Sequence, residues 1–223
     1  MFNNKSKENI VSILPKNHGW YEVKLNQQEL DYVWKCVNDN KKGKEDNAKG
    51  GLAGNIDSSW WLKDRGNWFF KNTLEPLAEK YREEFADLER FLPTNQPHPL
   101  EMIRWWVNYQ KQGEFQPSHQ HFGLWSFVIW LKIPYDHTQQ NKKLISSDAG
   151  GGCQRIGTFE FSYVTSVGKW TQYEYKLNPS FEGTMLFFPA SLVHTVYPFY
   201  DCDEDRISVS GNISYNTAIR LLR

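Results

Sequence analysis

Cysteine is scarce in this 223-residue chain: Cys36, Cys153 and Cys202 are far apart and odd in number. That spacing offers neither a disulfide framework nor the paired thiols of a zinc site, and it fits reduced thiols in a cytosol. Excess charge is missing too. Lysine plus arginine and aspartate plus glutamate both count 26, so no overall field draws the protein to nucleic acid or membrane, and non-specific binding to either is not expected. Any charged ligand must be recognised by local groups. No apolar run reaches the length of a membrane span, and the opening MFNNKSKENI lacks the apolar stretch of an export signal. A cytoplasmic protein is the expectation. No internal repeat recurs.

Aromatic residues, in contrast, are plentiful. Ten tryptophans, eleven tyrosines and fourteen phenylalanines, some in runs such as Trp60–Trp61, Phe69–Phe70 and Trp105–Trp106, suit sheet cores or pocket walls. The length suits one domain spanning 1–223, with a helical N-terminal support region over 1–100 and a β-rich core over 101–215.

In chain order, residues 20–25 alternate as a short strand. Asn26 and Glu29 stand as a capping box before a helix whose apolar stripe is Leu30, Val33, Trp34 and Val37, ending near Asn38–Asn40. Asn40–Asp57 reads as a long polar loop. Apolar residues at helical spacing between Trp68 and Phe91 predict a second helix, with Pro76 tolerated if the regular part starts near Leu74. From Glu101 the pattern becomes strands: 102–109, 124–133, 156–163, 172–177, 184–188, 194–197 and 206–215. Strands punctuated by glycine and proline indicate a sandwich or jelly roll. Tyr135–Gln154 is a polar excursion between them.

The last strand carries Arg206, Ser208, Ser210 and Asn212 at period two, so all four share one face. Among six histidines, His18, His98 and His137 stand alone and read as ordinary structural residues. His119 and His121, two apart, can turn both rings to one ion on extended backbone, and His194 lies on a later strand.

Gly113, five residues and His-Gln-His, then Gly183, five residues, Pro189 and His194, resemble the two motifs of cupin-type double-stranded β-helices. Trp125 and Ser126 stand where many cupins have glutamate. A second resemblance is sharper. Trp106-Val-Asn108, His119-Gln-His121, Ser126-Phe-Val128, Phe188-Pro…His194 and Arg206-Ile-Ser208 occur in order, as in iron(II)- and 2-oxoglutarate-dependent oxygenases of the prolyl-4-hydroxylase-like group, which includes bacteriophage members. The match covers about residues 101–215, with weaker likeness at Leu52-Ala-Gly-Asn-Ile.

The resemblance implies a mainly β, α+β fold: a double-stranded β-helix, or jelly roll, backed by N-terminal helices. It implies a dioxygenase that uses Fe(II), 2-oxoglutarate and O2 to hydroxylate an unknown substrate, a prolyl or other peptide, a protein or an amino acid. The setting would be the cytoplasm, or a host cytosol for a bacteriophage protein. His119 and His194 become iron ligands, and Arg206 the partner of the cosubstrate's distal carboxylate, helped by Ser208 and Tyr109. At position 121 the superfamily normally has a carboxylate. His121 therefore either ligates directly or orients the site while a carboxylate from elsewhere, or an exogenous anion, takes that place. Ser126 or Trp130 would edge the cosubstrate pocket, and Asn108 and Asn212 either orient ligands or satisfy buried backbone. The competing readings are a three-histidine cupin enzyme without 2-oxoglutarate and a non-catalytic binding domain.

Overall fold

The structure is a computed structural model describing residues 11–13, 19–40, 47–52, 54–85, 99–140 and 155–216. In chain order it contains β1 (Tyr21–Lys24), α1 (Gln27–Asp39), β2 (Ser58–Trp61), α2 (Glu75–Glu84), β3 (Leu100–Gln110), β4 (Gln116–His119) and β5 (Trp125–Lys132). There follow α3 (His137–Gln140), β6 (Thr158–Val164), β7 (Trp170–Lys176), β8 (Thr184–Pro189), β9 (Val193–Val196) and β10 (Arg206–Tyr215). Among the described residues ten strands form two antiparallel sheets, a six-stranded one in the order β1-β8-β5-β10-β3-β2 and a four-stranded one in the order β4-β9-β6-β7. This is an open jelly roll rather than a closed barrel. Among the described residues no helix is long and apolar enough to cross a membrane.

Strand alternation divides the six-stranded sheet into two unlike faces. Trp105, Val107, Phe127, Ile129, Met185, Phe187, Val209 and Ile213 join α1 and α2 in a helix-side core. Gly211 shares that face, because a side-chain carbon there would come within 2.6 Å of the Phe127 ring and 2.8 Å of the Arg104 carbonyl. On the opposite face Val128, Trp130, Leu186 and Phe188 meet Phe159, Phe161 and Tyr175 of the smaller sheet. That apolar packing fills one part of the space between the sheets. The polar residues of β3 and β10 face the other part.

The helices form where local chemistry asks for them. Asn26 Oδ1 accepts from the Glu29 amide at 3.0 Å, and Glu29 Oε2 accepts from the Asn26 amide at 2.8 Å. Glu29 Oε1 also takes the Thr73 hydroxyl at 2.8 Å, tying α1 to the chain before α2. That chain, Phe70–Leu74, winds as a π-helical turn, and Asp64 accepts the amides of Phe69 and Phe70 at its start. Pro76 then sits in the first turn of α2, directly after that wider turn.

Three differences from the sequence reading have physical causes. The N-terminal region is more than helical support: the strand expected at 20–25 forms β1 and pairs with β8, and an unexpected strand β2 pairs with β3, so both edges of the larger sheet are extended. The strand β2, only four residues long, is too short for alternation to reveal. The stretch read as a loop over 40–57 is tied to the sheets where described: Asn47 bridges Trp60, Asn55 bridges Phe115, and Lys49–Gly51 form a 3-10 turn. The remainder of that loop (41–46 and 53), the expected helical residues 86–91 and most of the excursion (141–154) lie outside the described residues. So do His18, His98 and Cys153.

Candidate metal centre

The strands β4 and β9 pair so that His119 stands directly across from His194. Paired residues share a face, and the two rings lie 4.2 Å apart between centroids. β4 ends at His119. The next turn brings His121 back by donating its amide to the Ala190 carbonyl at 2.8 Å. Its ring centre then lies 5.1 Å from that of His119 and 4.9 Å from that of His194. One ring nitrogen of each histidine lies within 4.8 Å of one from each of the others. The glycines of the two turn motifs, Gly113 and Gly183, have φ of +78° and +77°, a region that disfavours any side chain.

Tautomers follow from what the rings touch. His119 Nδ1 lies 2.7 Å from the Pro117 carbonyl, and His194 Nδ1 lies 2.9 Å from the Leu192 carbonyl. A carbonyl only accepts, so each Nδ1 carries the hydrogen and each Nε2 presents a lone pair. This is the arrangement a metal ligand needs. His121 has no ring hydrogen bond among the described residues and packs edge-on to Trp106 at 5.6 Å. A neutral nitrogen set fits iron(II), which accepts imidazole readily.

Burial keeps the three imidazoles neutral. It lowers the pKa of His119, takes His121 to about 3 with help from His119 and Arg104, and holds His194 well below 6.5, His119 and His121 adding to the effect. Below the unfolded value of 6.5 the unfolded chain therefore binds protons that the folded protein refuses. Stability is fully present above that value and is lost as the pH falls. The thermal midpoint of the metal-free protein should decline steadily between about pH 7 and 5. A flat profile across that interval would contradict neutral, buried imidazoles.

Arg206 lies at the start of β10 and is 1% exposed. It donates to the Tyr135 hydroxyl, to Gln110 Oε1 at 2.5 Å and to the Tyr197 carbonyl at 3.3 Å. Tyr135 and Phe199 also present ring faces to it, at 5.8 and 5.6 Å. All these partners are neutral. No carboxylate pairs with Arg206 among the described residues, although a buried guanidinium strongly favours an anion beside it. A bidentate carboxylate ligand would supply one.

Tyr109 does not share this site. It pairs with Ile207 in the register and is half-buried against the helix-side core, whereas Gln110 is the residue opposite Arg206. The expected hydroxyl beside Arg206 comes from Tyr135 instead, out of a segment that reads as polar loop. The segment's composition hides Tyr135, and the one-residue parity that favours Gln110 depends on a register that the sequence does not display.

Ser208 and Asn108 face each other across β10 and β3 on the site side. Asn108 Oδ1 accepts the Ser59 hydroxyl at 2.7 Å, and Asn212 Oδ1 accepts the Ser126 hydroxyl at 2.5 Å. Trp130 is core, packed on Phe159, Tyr175 and Phe181. His137, 3% exposed, has Nδ1 on the Ile156 carbonyl at 3.0 Å and serves structure. A cavity of about 240 Å³ opens beside the histidines, lined among others by Leu52, Arg104, Trp106, Gln116 and Asn212.

Residues 104–212 match the family model described as "Putative 2OG-Fe(II) oxygenase", an interval that contains all three histidines and Arg206. No curated protein matches the chain. Similar solved structures include a Pseudomonas putida prolyl-4-hydroxylase, 15% identical, covering 89% of this chain and 94% of its own with a TM-score of 0.47. A viral collagen prolyl hydroxylase from Paramecium Bursaria Chlorella virus-1 is 14% identical, over 87% of this chain and 94% of its own, with a TM-score of 0.46. HygX from Streptomyces hygroscopicus is 9% identical, over 90% of this chain and 84% of its own, with a TM-score of 0.49. The motif order, the histidine trio and the family match together make this chain a member of the 2OG-Fe(II) oxygenases, with iron(II), 2-oxoglutarate and dioxygen as its reagents.

Proposed function

We propose that His119, His121 and His194 hold the iron through neutral nitrogens and that Arg206 receives the distal carboxylate of 2-oxoglutarate. The observation that carries this reading is the coexistence of an imidazole trio with a buried guanidinium whose protein partners are all neutral. A three-histidine enzyme without the cosubstrate would have no use for such a cation, and a binding domain would have no use for either group.

Bound iron supplies the oxygen chemistry by which 2-oxoglutarate and O2 give succinate and carbon dioxide, with one oxygen atom entering a substrate C–H bond as hydroxyl. The protein's own groups set the stage. The Pro117 and Leu192 carbonyls keep the Nδ1 hydrogens of His119 and His194 in place, so neither ring needs to move a proton. Gln110 and Tyr135 fix the guanidinium plane; Gln110 Nε2 is itself anchored to the Glu114 carbonyl, and the Tyr135 hydroxyl to that of Gly157. Ser208 adds a hydroxyl on the same face with Asn108 across from it, and Asn212, which takes the Ser126 hydroxyl, lines the cavity beside the histidines. With a neutral ligand at 121, the dianionic cosubstrate is the main counter-charge to the metal and Arg206.

We read the substrate as a peptide or amino acid, in keeping with the prolyl-hydroxylase-like motifs, and the setting as cytosolic, a host cytosol for a bacteriophage protein. One domain would span the chain, the N-terminal region bracing the jelly-roll core. The test is a proline-containing peptide library incubated with iron(II), 2-oxoglutarate and O2. Succinate release matched by a one-oxygen mass gain supports the substrate class. Succinate released without oxygen entering any peptide or added amino acid refutes it.

A further inference from the structure

Arg104 lies on β3 directly opposite Asn212, on the same sheet face as Trp106, Asn108 and Gln110. It lines the cavity that His119 and His121 also line. Its guanidinium stacks on Trp61 at 5.8 Å, and Trp61 packs edge-on to Trp106 at 6.0 Å, so an aromatic brace holds the cation at the mouth. No carboxylate pairs with it among the described residues. Asp64, which lines a neighbouring groove with it, already accepts from Tyr32 and from the Phe69 and Phe70 amides.

The rest of that wall carries no acid. Asn212 has its oxygen occupied by the Ser126 hydroxyl, which leaves its amide hydrogens as donors. Gln116 and Gln120 are neutral. One planar cation with amide donors around it suits a monoanion, whereas a phosphate dianion would call for a second cation. Arg206, deeply buried, and Arg104, exposed at the mouth, thus stand at two separate anion positions.

We propose that Arg104 selects the substrate by pairing with a carboxylate on it, so that the enzyme hydroxylates an acid in preference to its neutral counterpart. This rests on the iron and 2-oxoglutarate reading above and names the substrate class for the same site. The carboxylate comes either from the α-carboxyl of a free amino acid or from an acidic side chain of a peptide.

The iron-loaded protein would be assayed for substrate-stimulated succinate release with free L-amino acids and their carboxamides. A parallel arm would use end-blocked peptides containing Asp or Glu and their Asn or Gln counterparts. Each acid should exceed its amide by about tenfold to a hundredfold in kcat/KM, the range for hydrogen bonds to a charged group. Arg104→Gln should bring that ratio close to one; a merely structural role would lower acid and amide alike. Whichever arm responds identifies the carboxylate's source. Acid and amide acting equally, a preference surviving Arg104→Gln, or no carboxylate acting at all would overturn the proposal. Binding of 2-oxoglutarate to the iron-loaded wild type, measured beforehand, tests the underlying reading separately: without it, that reading fails instead.

Discussion

Arg206→Met should weaken 2-oxoglutarate binding by about thirtyfold to several thousandfold, from the roughly 2–5 kcal/mol lost when one partner of a buried charge pair is removed. The side chain is 1% exposed and its neighbours Gln110, Tyr135 and Tyr197 are neutral, so nothing else there can hold a carboxylate by charge. Methionine fills much of the volume and keeps the loss electrostatic rather than a cavity effect. Arg206→Lys is a sharper comparison. It keeps the charge but loses the fork that reaches Tyr135 and Gln110 together, so its affinity should fall between those of wild type and Arg206→Met. Calorimetry with the iron-loaded, oxygen-free protein reads both variants. Unchanged affinity in Arg206→Met would remove Arg206 from the cosubstrate site.

His194→Ala should leave the protein without stoichiometric iron, the affinity falling more than about a hundredfold, beyond the usual effect of altering a group that only orients a ligand. His194 is the best fixed of the three histidines. It is 3% exposed, its Nδ1 is pinned by the Leu192 carbonyl, and Phe159, Phe161 and Phe188 surround its ring. His121 lacks that anchoring carbonyl among the described residues, so His121→Ala should lose less affinity than His194→Ala. His137→Ala is the control, a buried histidine bound to the Ile156 carbonyl, whose loss should lower thermal stability and spare the metal. Iron content by atomic absorption after desalting decides the order. One iron per chain retained in His194→Ala would contradict the ligand assignment.

How far the sequence revealed this site depended on which residues keep their meaning without a register. The His-Gln-His pair and His194 are visible because glycine and proline mark the turns beside them, and the polar face of β10 is visible because Arg206, Ser208, Ser210 and Asn212 obey period two. The capping box at Asn26 and Glu29 is local chemistry and reads directly from four residues. Partners across strands are another matter. Whether Tyr109 or Gln110 meets Arg206 is decided by a single step of register between β3 and β10, and both residues are plausible hydrogen-bond partners. Tyr135 reaches Arg206 only because the chain after β5 folds back under Phe199, stacking on it at 4.7 Å, and composition gives no hint of that return. The neutral state of the trio is likewise a property of packing, since burial is the largest cause lowering all three pKa values and the charges that add to it at His121 and His194 are brought there by the fold.

On the proposed reading, the three histidines and Arg206 together build one site for iron and 2-oxoglutarate. Anaerobic titration of the wild-type protein with iron(II), followed by 2-oxoglutarate, tests it most directly through the visible charge-transfer band of a chelated 2-oxo acid. Iron should saturate at one per chain, and the band that then develops should saturate at one cosubstrate per iron. Iron bound with no band on adding 2-oxoglutarate, or no iron bound at all, would contradict that reading.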